Sequence, residues 1–303
     1  AGVFYTKKNA AGESVELDKY PEGSIHGAFT VSENKKVFFS KGNLWCNAAE
    51  TPVTWNFEAN QYDNRCYNGI ENDAAVINGE LTTTPTNTVG ALLFYNASGN
   101  PYMYPYVNGS ISESEILFTN GQTAETADKP NPTFTVEGEI GVYRVLSENE
   151  WGYLMGRESY SKFGFANIKI SDVDVVNGLV ILPDLYAVPE GCSFTSGKES
   201  DWNTNQYTTE QWDKMEDAGA VFLPAAGYST CHKDNPYLLS QYSERGDYMS
   251  CNGAIDDGYK YMHFCTQTHE PEAGTQIAAG LLSTTIHGYC GMSIRLVSDV
   301  ISE

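Results

Sequence analysis

The sequence predicts an α+β fold, with two short helices among mostly antiparallel β-strands and long loops. Only two segments combine a helix-starting cap with apolar residues at helical spacing. Elsewhere apolar and polar residues alternate over short stretches, the period of a half-buried strand. The 28 Gly and 12 Pro among 303 residues supply the many turns such a chain requires.

Residues 1–27 are polar and glycine-rich and read as an arm or linker before a domain over 28–303. A hairpin opens that domain. Phe29 and Val31 alternate with polar residues, Glu33-Asn34-Lys35-Lys36 can turn, and Val37 and Phe39 resume the alternation. Leu44, Trp55 and Phe57 carry β character to about residue 62. From Cys66 to Asp128 there is no Lys or Arg, and Tyr102, Tyr104 and Tyr106 form a tyrosine cluster. Over about 66–135 the chain reads as an insertion of short strands and loops.

The first helix starts at Ser147-Glu148-Asn149-Glu150. Ser147 can cap the free N–H groups while Glu150 reaches back, and Trp151, Leu154 and Met155 follow at helical spacing. The second opens at Thr208-Thr209-Glu210-Gln211, carries Trp212 and Met215, and stops at Gly219 after about two and a half turns. Each cap is worth about 1 kcal/mol, enough to fix where a short helix begins. Strand-like runs follow both helices, at 178–183 and at 220–224.

There are 18 Lys+Arg against 39 Asp+Glu, a net charge of −21. A nucleic-acid backbone needs a basic footprint, so a general nucleic-acid binder is excluded, and the same balance argues against docking on an anionic membrane surface. No run of about 18 apolar residues is present, so no transmembrane helix is expected. The first residue is Ala1 rather than Met, which suggests a mature or a trimmed chain with any export signal already gone, and low Lys with high Tyr, Asn, Thr and Gly fits an exported protein. Seven cysteines stand at 46, 66, 192, 231, 251, 265 and 290, with no CxxC pair. They read as small buried hydrophobes, with one or two bridges as the alternative in an oxidising compartment.

Several segments, in order along the chain, resemble a known family. They are Phe29–Ser32, Val37–Leu44, Trp55–Asp63, Tyr143–Trp151, Leu182-Pro183, Tyr207–Tyr228 and Gly291–Val297. The chain resembles the bacterial surface domains of the Fibrobacter succinogenes major paralogous domain type, common in Bacteroides-like bacteria. Where that family carries a Tyr-Trp-Ser-Ser-like step, this chain has Gly246-Asp247-Tyr248-Met249-Ser250-Cys251. The resemblance implies a C-type-lectin-like fold. It further implies a non-catalytic binding module, secreted or attached to the outer membrane as a lipoprotein or adhesin. Such a module would take a glycan or a protein through loops of about 229–290, with no cofactor.

Polar and aromatic residues in the loop-rich half nominate Trp202, Tyr242, Asp256, Asp257, Tyr259, His287 and Tyr289 as ligand contacts. No metal site is expected. Glu270-Pro271-Glu272 reads as a solvated turn, and the loop at Asp172 and Asp174 has Val176 where an EF-hand needs an oxygen ligand. His263, Cys265, His269, His287 and Cys290 match no zinc spacing and read as scattered structural residues. Arg295, between Ile294 and Leu296 in the last strand, is expected to pair with an acid beside the helices. Two rival readings remain. One is a cysteine-dependent enzyme related to the formylglycine-generating enzymes, using Cys251, Cys265 or Cys290. The other is a structural adhesin or surface-assembly subunit, joined through a free strand edge.

Overall fold

The computed structural model describes residues 6–8, 14–16, 20–21, 23–47, 54–65, 74–83, 88–90, 92–95, 101–104, 134–136, 139–156, 163–197, 201–232, 235–240, 242–254, 258–265, 279–284 and 290–300. The first strands are β1 (Thr6–Lys8), β2 (Ser14–Glu16), β3 (Ser24–Ser32), β4 (Lys35–Ser40), β5 (Leu44–Asn47) and β6 (Thr54–Phe57). Then come β7 (Ala74–Ile77), β8 (Glu80–Thr83), β9 (Thr88–Gly90), β10 (Leu92–Tyr95), β11 (Pro101–Tyr104), β12 (Phe134–Val136) and β13 (Glu139–Arg144). Helix α1 (Glu148–Gly156) precedes β14 (Phe163–Lys169), β15 (Val175–Ile181) and β16 (Asn205–Thr208). Helix α2 (Thr209–Asp217) precedes β17 (Val221–Pro224), β18 (Tyr228–His232), β19 (Asn235–Ser240), β20 (Arg245–Ala254), β21 (Gly258–Cys265), β22 (Ala279–Thr284), β23 (Cys290–Ser293) and β24 (Val297–Asp299).

Both helices start where their caps direct. Ser147 Oγ accepts from the Glu150 N–H at 3.2 Å, and Glu150 Oε2 accepts from the Ser147 N–H at 2.8 Å. Thr208 and Gln211 repeat the arrangement at 3.2 and 3.0 Å. Gly219 follows α2 at φ +96°, a backbone setting that any residue with a Cβ disfavours. Trp151, Leu154, Trp212 and Met215 are the buried anchors of the two helices.

The fold is mixed α+β. Its strands are mostly antiparallel, and the described residues hold two helices. Only the β14–β16 and β20–β23 pairs run parallel among them. A five-stranded sheet has the order β12-β13-β24-β4-β3, a four-stranded sheet β16-β14-β15-β17, and a larger sheet follows β11-β10-β23-β20-β21-β22. The opening hairpin starts at Ser24, ahead of the expected boundary at 28, and turns at Glu33-Asn34. The inserted segment donates strands to neighbouring sheets, since β9 pairs with β5 and β10 with β23. No helix among the described residues is long and apolar enough to cross a membrane.

Two apolar clusters lie on the two faces of the four-stranded sheet. Phe165, Leu179, Ile181, Val221 and Leu223 face one cluster, shared with β3, β4, α1, β20 and β21. Ala166, Ile168, Val176, Val180 and Phe222 face the other, closed by Trp212 and Met215 of α2. Arg295 departs from expectation. It lies between β23 and β24, is 2 % exposed, and donates to Asn43 Oδ1 at 3.0 Å and to the carbonyls of Ser40, Gln61 and Phe222 at 3.0, 3.4 and 2.6 Å. Its partners are neutral oxygens rather than an acid. Burial therefore pulls it down to about 10, with Tyr248, Glu216 and Glu58 opposing.

Candidate functional site

One face of the four-stranded sheet changes character along its length. On β14 the alternating residues are Phe163, Phe165, Asn167 and Lys169; on β15 they are Ile181, Leu179, Asn177 and Val175. The apolar half is roofed by the core, while the polar half lies open as a groove of about 550 Å³. The register aligns Gln206, Asn167 and Asn177 in one row across β16, β14 and β15, and Thr208, Lys169 and Val175 in the next. Trp202 stands at the boundary. Its ring packs on Phe165 at 5.0 Å and Phe264 at 6.1 Å, and the remainder lines the groove.

Hydrogen bonds fix which end of each amide faces outward. Asp201 Oδ1 accepts from both the backbone N–H and the side-chain amide of Asn203, so Asn203 Oδ1 must point the other way. That oxygen accepts from Asn167 Nδ2 at 3.3 Å and Gln206 Nε2 at 2.9 Å. Asn167 Nδ2 also donates to the Trp202 carbonyl at 2.9 Å, and Asn177 Nδ2 donates to the carbonyl and hydroxyl of Ser243 at 2.9 and 3.1 Å. With their NH2 ends engaged, Asn167, Asn177 and Gln206 keep side-chain carbonyls that take no donor among the described residues. Lys169 is the one charged residue among those lining the groove. Neutral acceptors, one ammonium and an indole suit a ligand rich in hydroxyl donors with an apolar face.

A second constellation lies on β20 and β21. Antiparallel register sets Arg245 opposite Cys265 and Asp247 opposite His263. All four lie on one face, opposite the side where Met262 and Phe264 enter the core. Asp247 Oδ2 is 2.6 Å from Arg245 Nε, and Asp247 Oδ1 is 2.8 Å from His263 Nδ1. His263 Nε2 is 3.1 Å from Cys265 Sγ. A carboxylate accepts only, so in the neutral ring the proton sits on Nδ1 and Nε2 is the acceptor for the thiol. Arg245 also donates to the Tyr261 hydroxyl at 3.0 Å and sits over the Tyr228 ring at 4.8 Å. Burial opposes the charge on Arg245, but Asp247 and Tyr261 outweigh it and hold the guanidinium above its usual range. Burial pushes the Cys265 thiol up, so it rests protonated.

The contacts expected from sequence meet different fates. Trp202 lines the groove, half-buried against the core. Tyr242 lies in the 242–244 turn, one residue before the Ser243 that holds Asn177. Tyr259 is in β21, with its side chain outside the described residues. Asp256, Asp257, His287 and Tyr289 lie outside the described residues, as do His269 and the Glu270–Glu272 turn. The side chains of Cys251 and Cys290 are likewise outside them. Further along the alternating strand, Tyr261 and His263 are each 1 % exposed, so neither offers an open stacking surface.

His263 and Cys265 are not scattered, as expected from spacing, but contact each other directly, with Asp247 on the other ring nitrogen of His263. Among the described residues no group of three or more His, Cys, Asp or Glu is arranged to hold a metal ion. The amide row was missed because it is assembled by register from three strands. Its signal was the polar turn taken by the odd positions of Phe163-Gly164-Phe165-Ala166-Asn167-Ile168-Lys169. No protein-family model, no curated protein and no solved structure matches the chain.

Proposed function

We propose that the groove of this chain is a non-catalytic binding site for neutral glycans, in a module exported and held at a bacterial cell surface. In this reading its scaffold is a C-type-lectin-like domain of the Fibrobacter succinogenes major paralogous type. The observation that carries the ligand class is the row of outward carbonyls on Gln206, Asn167 and Asn177 beside the Trp202 ring. Sugar hydroxyls donate to such carbonyls, and the apolar face of a pyranose covers an indole. A net charge of −21 repels anionic ligands at long range, and the lining residues hold no carboxylate to attract a cation. Ordered segments resembling that family, an acidic surface and abundant tyrosine support the scaffold and the extracellular setting.

A screen of the intact chain against neutral glycans, followed by calorimetric titration, tests the proposal. Gln206→Ala removes an exposed acceptor and is expected to weaken binding by about five- to tenfold, the worth of one hydrogen bond. Trp202→Ala is expected to weaken it further. Failure of every neutral glycan to bind overturns the reading, as does unchanged affinity in both variants or binding confined to a surface protein.

A further inference from the structure

The second constellation has no part in glycan binding, and its chemistry differs. Nucleophilic catalysis needs a nucleophile, a base within hydrogen-bond reach and a group that orients the base. Cys265, His263 and Asp247 meet these requirements in a chain of 3.1 and 2.8 Å contacts. Arg245, 2.6 Å from the far oxygen of Asp247, holds the orienting carboxylate in place. The charged and titratable groups facing the thiol are Arg245 and Asp247 of β20 and His263 of β21, with the hydroxyls of Tyr261 and Tyr228 beyond them around Arg245.

We propose that Cys265 is a base-assisted nucleophile that accepts small acyl groups from esters or thioesters. The thiol rests protonated, so attack and deprotonation are coupled. As Sγ bonds to the acyl carbon, the S–H proton passes to His263 Nε2, and Asp247 stabilises the imidazolium through Nδ1–H. The C–O or C–S bond of the donor breaks, and the leaving oxygen or sulfur takes the proton back from Nε2. The products are a thioester on Cys265 and a free alcohol or thiol. Water then hydrolyses the thioester and restores the cysteine, with no change of oxidation state. Cys265 is the last residue of β21 and 5 % exposed, so the acyl group must be slender.

The test treats the intact protein at neutral pH with p-nitrophenyl acetate. Released p-nitrophenol is followed by absorbance, and the modified cysteine is located by peptide mass mapping. One equivalent of rapid release with acetyl on the Cys265 peptide is expected, absent in Cys265→Ala. His263→Asn keeps a group that can donate to Asp247 but removes the base, and should slow acylation about a hundredfold in a chain that still unfolds cooperatively. The proposal is overturned if Cys265 stays unmodified in the native protein but reacts after unfolding. It is equally overturned if Cys265 reacts no faster than a free cysteine or at the same rate in His263→Asn. Neutral-glycan affinity is read separately, so loss of either site leaves the other's test intact.

Discussion

Gly246 has no side chain because the Phe264 ring occupies the space a Cβ would fill. Phe264 in turn backs Trp202 at 6.1 Å, which makes Gly246 a support of the groove without touching it. Gly246→Ala is therefore expected to push Phe264 against Trp202. The cost is about 1–3 kcal/mol of stability, with several-fold weaker glycan binding. Chemical denaturation and titration read the two effects; an unchanged midpoint would show that the ring shifts freely. Trp202 was legible because aromatic residues in polar loops are scarce. Asn167, Asn177 and Gln206 were not, because an amide on a strand reads as a solvated face until register brings it beside two others.

At the scale of elements, a two-residue signal decides a helix start and tertiary partners decide its strength. Glu150 closes the cap of α1 and is gripped in bidentate fashion by Arg144 at 2.7 and 2.8 Å. Arg144 also reaches Asp299 of β24 at 2.6 Å, and Lys35 of β4 reaches Glu150 at 3.0 Å. Burial alone would raise the Glu150 carboxyl; the Arg144 contacts and the Ser147 N–H win and hold it below its usual range. Its contribution is present above the ordinary carboxylate value and is lost as pH falls through the depressed one. Glu150→Gln should cost about 2 kcal/mol by urea denaturation at pH 7. The same network explains why the α1 cap was readable and its anchorage was not: Asp299 lies 155 residues from Arg144.

For the whole molecule, the acidic balance is felt inside as well as outside. Burial pushes Glu58 up to about 8 despite Arg65 at 2.9 Å, and pushes Glu216 up to about 7 against its hydrogen bonds to Gln61 and Trp212. A carboxyl raised on folding keeps its proton in the native state after the unfolded chain has released it. Its stabilisation is full below the unfolded value near 4.5 and is lost as pH rises through the folded values of about 7 and about 8. Surface repulsion at a net −21 acts in the same direction. Stability by urea denaturation should fall by several kcal/mol between pH 5 and pH 8, a tenfold difference in proton affinity between the folded and unfolded chain being worth about 1.4 kcal/mol for each of the two groups. Glu216→Gln should flatten that slope, and a flat wild-type profile would contradict the assignment.

Local information settled what depends on neighbours a few residues apart. Both helices, their caps, the stop at Gly219, the strands after them and the α+β class follow from capping pairs and from periods of 3.6 and 2. Tertiary structure decided what depends on strand pairing over tens to hundreds of residues. It set three amides in one row, joined His263 and Cys265 to Asp247, and gave Arg295 four neutral oxygens where an acid was expected. A one-residue slip in register would turn each of those strand side chains to the opposite face, and no local pattern specifies which register the sheets adopt.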